Sequence, residues 1–77
     1  PVRAWVRRFP RDIGVLPDIF LFTRDFAVEE GVEEGPSHVL DLVLEELFTN
    51  LVRHNLDGRQ EIEIGLARQD GAVRLTY

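Results

Sequence analysis

Within the stretch EELFTNLVRH, residues 45–54, three residues able to do chemistry recur every fourth position: Glu46, Asn50 and His54. On a helix this interval stacks side chains in one row along one face. A carboxylate, an amide and an imidazole in such a row can be offered to something bound. The same row also occurs as a solvated edge beside a core face, and a histidine near a helix C-terminus suits the negative end of the helix dipole. Spacing alone leaves both readings open.

The row needs a helix to hold it. Projection at 100° per residue gathers Leu40, Leu44, Leu47, Phe48 and Leu51 into a core arc. Glu46, Asn50, Arg53, His54 and Asp57 fall on a narrow adjacent arc, and Val39 and Val43 extend the same line toward the N-terminus. The polar groups are thus expected on the rim of the core, where they could line a pocket floored by the helix. Ser37 is the expected N-cap, and the helix is expected to run to about Asp57, closed by Gly58. Upstream, residues 2–9 (VRAWVRRF) mix β-branched and aromatic types with polar ones and read as a strand ended by Pro10. Leu16, Ile19, Phe20, Phe22, Thr23 and Phe26 recur at three- and four-residue intervals, predicting a helix with Pro17 in its first turn and Gly31 just past its last. Downstream, Ile62, Ile64 and Leu66 alternate with Glu61, Glu63 and Gly65, and Val73, Leu75 and Tyr77 share one face of a further strand. Asp70-Gly71 between these strands is a strong hairpin signal. The predicted order is β-α-α-β-β. The fold class is α+β: a two-layer sandwich with a mostly antiparallel sheet and helices on one face.

Composition narrows the function. A chain of 77 residues makes one domain and buries roughly 60% of its unfolded surface. There is no cysteine, so disulfides and thiolate metal sites are excluded. Net charge is −5, which argues against a nucleic-acid binder held by phosphate contacts. All nine basic residues are arginine, which removes lysine Schiff-base chemistry and a P-loop lysine. No apolar run approaches a membrane span and no signal-peptide pattern opens the chain, so the expected location is cytoplasmic. The chain contains no methionine, and its last strand meets neither turn nor cap. Both features predict a partial chain, with strand edges that further polypeptide or another subunit covers.

LDLVLEELFTNLVRH resembles the N-box of the GHKL ATPase superfamily, and most of all its branch of anti-sigma factor serine/threonine kinases and anti-sigma regulatory factors. Glu46, Asn50 and His54 match that branch's Glu-x-x-x-Asn and following basic residue, and Thr49 precedes the asparagine as is common there. RDIGVLPDIFLFTRDFAVEEGV resembles the family's first helix and its glycine. EIEIGLARQDGAVRLTY resembles the strand-turn-strand after the N-box. Sensor histidine kinases usually carry asparagine where Glu46 stands. Gyrase-like and heat-shock-chaperone-like members usually place aspartate where this chain has Val52 or Arg53.

The resemblance implies that Asn50 binds Mg²⁺ through its side-chain oxygen, with ATP phosphates among the other ligands. It implies that Glu46 is the general base for an attacking serine or threonine hydroxyl, and that Arg53 and His54 contact phosphate. The implied activity is ATP-dependent phosphorylation of a STAS-type anti-sigma-factor antagonist by a homodimeric kinase. The alternative is a non-catalytic module of the same fold that sequesters a sigma factor or another regulator. The family's Asp-x-Gly box, which reads adenine, and its glycine-rich lid match nothing in these 77 residues; Asp70-Gly71 is a turn, not that box. Residues 1–77 are therefore expected to form an incomplete domain that binds ATP poorly by itself. Among the other polar residues, Glu45 falls on a different face, and His38, Glu29, Glu30, Glu33 and Glu34 read as solvated. Arg3, Arg7, Arg8 and Arg11 read as a solvated strand edge able to meet an acidic partner, while Trp5 and the phenylalanines read as core.

Overall fold

The first strand, β1, spans Ala4–Pro10 and leads through a 3-10 turn at Ile13–Val15 into helix α1, Leu16–Glu30. Helix α2 spans Glu34–Arg53, and the strands β2, Glu61–Gln69, and β3, Ala72–Thr76, complete the order β-α-α-β-β. This is a computed structural model, and it describes residues 2–54 and 58–77. The sheet is antiparallel throughout, in the order β1-β2-β3. Its central strand pairs from Pro10↔Glu61 to Ala4↔Ala67 on one side and from Gly65↔Thr76 to Gln69↔Ala72 on the other. The Asp70-Gly71 link has φ of 53° and 77°. Two left-handed residues make the tight turn whose twist matches that of the strands.

The period-two pattern decides which face is covered. Ile62, Ile64 and Leu66 are buried with Phe9, across from the intervening Glu61 and Glu63, which are exposed. Both helices contribute to the core on that same side: Ile19, Phe22 and Phe26 from α1, and Leu40, Leu44 and Phe48 from α2. Trp5 is half-buried and meets Phe26 edge to face at 5.9 Å, as Phe9 meets Phe22 at 5.8 Å. Val73 and Leu75 are half-buried, whereas Tyr77, expected on their face, is 72% exposed.

Helix α1 begins and ends as its sequence predicts, with Pro17 in the first turn and Gly31 at φ 67° just past Glu30, its N–H donating to Ala27 O. Helix α2 does not. It starts at Glu34 with Glu33 as N-cap, so Gly35, Pro36 and Ser37 lie inside the first turn, and Ser37 N–H donates to Glu33 O at 3.0 Å. The first turn of a helix needs no N–H from Pro36, so the proline is accommodated and the helix starts ahead of the expected Ser37 cap. At the other end α2 stops at Arg53 with His54 as C-cap, earlier than the expected stop. Gly58 has φ 69° but belongs to the run into β2, and Asp57 lies outside the described residues.

One buried polar group joins the helices. Thr23 is 1% exposed, and its Oγ1 lies 2.6 Å from Asp41 Oδ1 and 2.9 Å from Phe20 O. A hydroxyl has a single proton, and the short distance to a carboxylate marks that as the stronger acceptor. Thr23→Val keeps the shape and deletes the donor, leaving the half-buried Asp41 without it. We expect a loss of about 1–2 kcal/mol, seen as a lower urea midpoint at unchanged slope, with Thr23→Ser close to wild type. An unchanged midpoint in the valine variant would mean that the bond carries no net stability.

Candidate functional site

The core face of α2 is as projected: Leu40, Leu44 and Phe48 are buried, and Leu47 and Leu51 are half-buried against the same cluster. Glu46, Asn50 and Arg53 stand on the helix beside this face and are all exposed. His54 is exposed too, but as C-cap, with φ −111° and ψ 70°, so it sits where the helical path ends. Among the described residues, none forms a side-chain hydrogen bond or ion pair with Glu46, Asn50, Arg53 or His54. The row is exposed, and none of its side chains is bonded to another described residue. Glu45 and His38 are exposed as expected.

Val39 and Val43 behave differently from their polar continuation. With Val32, Pro36, Val73 and Leu75 they line an apolar groove of about 590 Å³ between the first half of α2 and β3. Glu46 and Asn50 follow Val43 by three and seven residues, so they continue the groove's helical wall over the next two turns. Arg68 and Glu33 are the charged residues of the groove lining.

Several charged residues read as solvated have intramolecular roles instead. Glu30 accepts from Trp5 Nε1 at 3.2 Å and lies 3.9 Å from Arg3, so it ties α1 to β1. Its backbone carbonyl accepts from Arg68 Nη1 at 2.6 Å. Arg11, grouped with a solvated edge by its sequence, is half-buried and donates to the carbonyls of Leu51 and Arg59. Arg8 fits the solvated reading better, as an exposed pair with Glu63 at 3.5 Å. Nothing in the sequence announces Arg11, because its acceptors are main-chain atoms 40 and 48 residues away.

The oxygen chemistry on α2 suits a hard divalent ion. Asn50 is exposed and carries an amide oxygen of the type such an ion takes, and the Glu46 carboxylate is one turn away. Among the described residues, no group of three or more His, Asp or Glu side chains is placed to hold an ion alone. Among the described residues, no helix is long and apolar enough to cross a membrane. Comparison with known proteins found no matching family model, curated protein or solved structure.

Proposed function

We propose that this chain carries the magnesium-and-base half of an ATP site in a cytoplasmic serine/threonine kinase of the GHKL type, whose acceptor is a STAS-type anti-sigma-factor antagonist. One observation carries the reading: Glu46 and Asn50 are exposed in one row of α2, next to its core face, and have no partner among the described residues. Polar side chains at the border of a small core that are not used to hold the fold are available to a ligand. The N-box resemblance states which ligand, and the stretch it likens to the strand-turn-strand after the N-box forms β2 and β3, directly after α2.

In this reading Asn50 holds Mg²⁺ through its amide oxygen, and Arg53 and His54 lie within the following turn for phosphate contact. When bound, the ion neutralises charge on the phosphate oxygens. Glu46 accepts the proton of the attacking hydroxyl, which requires hydrogen-bond reach between carboxylate and acceptor. Neither role needs the side chain to be buried in the free protein.

The test is titration of a non-hydrolysable ATP analogue into the natural protein, with and without Mg²⁺, beside Asn50→Ala and Glu45→Ala. Asn50→Ala should lose at least about tenfold of the Mg²⁺-dependent affinity, the scale on which even partners one shell further out act. Glu45→Ala, exposed and outside the row, should bind as wild type does. Wild type without Mg²⁺-dependent binding sinks the kinase reading and leaves a non-catalytic module that binds a sigma factor or another regulator.

A further inference from the structure

Two parts of the chain flank residues 55–57: the last turn of α2, which carries Asn50 and Arg53, and the run of residues into β2. Arg11 touches both. Its backbone N–H donates to Gln60 O at 2.9 Å, one step past the Pro10↔Glu61 pair at the end of the β1–β2 ladder. From that fixed point its side chain donates through Nη1 to Leu51 O and through Nε to Arg59 O.

The Leu51 carbonyl belongs to the final turn of α2, where carbonyls have run out of N–H partners within the helix. Asn50 O accepts from His54 N–H at 2.9 Å, and Arg11 donates to the neighbouring carbonyl, Leu51 O. A cation is also favoured at this end of a helix dipole. The guanidinium is a planar fork, so donating from two of its nitrogens to two separate carbonyls fixes both segments relative to one plane.

We infer that Arg11 is a positioning residue for the α2 row: it holds the turn bearing Asn50, Arg53 and His54 at a set place over the sheet. Its effect on nucleotide rests on the function proposed above; the clamp itself does not. Arg11 touches no ligand in this scheme. It acts by fixing the place of the turn that bears Asn50.

The experiment compares wild type, Arg11→Lys and Arg11→Met in the natural protein, by amide hydrogen exchange and by the same Mg²⁺ titration. Arg11→Met should raise exchange selectively at the amides of residues 50–54, leaving Ile64 and Leu66 in the central strand as protected as before. It should also cost about tenfold in the Mg²⁺-dependent part of nucleotide affinity, the usual scale for a group that orients a ligand residue, with Mg²⁺-free affinity unchanged. Arg11→Lys keeps the charge but not the fork and should fall between. Unchanged exchange at 50–54 in Arg11→Met overturns the clamp. Selective loosening there with full Mg²⁺-dependent affinity overturns the positioning role. If exchange rises equally at Ile64 and Leu66, Arg11 is a general stabiliser and the inference fails. Wild type that binds no nucleotide overturns the functional reading and the positioning role built on it, and the exchange data still decide the clamp separately.

Discussion

On the proposed kinase function, Glu46→Gln in the natural protein should lower phosphate transfer to a seryl acceptor by roughly 10²–10⁴-fold, the usual contribution of a positioned general base, while nucleotide still binds in the presence of Mg²⁺. The amide has the shape of the carboxylate and cannot take a proton. Glu46 is exposed and has no partner among the described residues, so the change should move stability by no more than about 0.5 kcal/mol. Removing a negative charge beside the phosphates should leave affinity unchanged or tighten it slightly. This split separates Glu46 from Asn50: one variant binds without transferring, the other loses the metal-dependent part of binding. Single-turnover transfer from labelled ATP to the antagonist reads the rate, and wild-type transfer by Glu46→Gln would remove the base role.

Phe48→Ala should destabilise the fold more than any other substitution considered. Phe48 is fully buried, two residues before Asn50 on the same helix, in the cluster that also holds Phe9, Phe26, Leu44 and Ile64. Truncating a buried phenylalanine costs about 3–5 kcal/mol, through lost transfer energy and the cavity left behind. A chain of this length is stable by roughly 4–12 kcal/mol in total, at the usual 0.05–0.15 kcal/mol per residue. One substitution therefore removes a quarter of the stability at the least, and nearly all of it at the low end. In a small domain each kcal/mol shifts Tm by about 4–8 °C, so a fall of roughly 12 °C or more is expected by circular dichroism. Val43→Ala is the control, since Val43 is 47% exposed on the same helix and its loss should be nearly neutral. A Phe48→Ala protein melting within a few degrees of wild type would mean that the core around α2 repacks.

Much of the architecture was legible because it rests on local periodicity. The alternation of Ile62, Ile64 and Leu66, the Asp70-Gly71 turn and the Leu40–Leu44–Phe48 face of α2 each depend on residues close in sequence, and each is where expected. The candidate row was legible for the same reason: Glu46 and Asn50 are one turn apart on a single helix, so no tertiary contact is needed to align them. The boundaries of α2 were not. Ser37 is the expected N-cap, yet the first helical turn admits Pro36 before it, and the C-terminal stop falls beside the Leu51 carbonyl that Arg11 occupies. Helix ends depend on who satisfies the orphan main-chain groups, and that partner can be far away in sequence.

The same distinction separates charges with a role in the fold from those without. By itself the sequence determined the fold class, the order of elements, the covered face of the sheet and the row of Glu46, Asn50 and Arg53, since all of these follow from side-chain periods of two and 3.6. Only the tertiary structure decided that Arg11 grips the end of α2, that Glu30 ties α1 to β1 through Trp5, and that Thr23 and Asp41 meet between the helices. It also decided that the row on α2 is left open. Those are pairings across 18 to 48 residues, where a charged side chain looks the same in sequence whether it meets water or a distant carbonyl. The fold brings the partner close, and the cost of leaving a half-buried polar group unpaired then selects the contact.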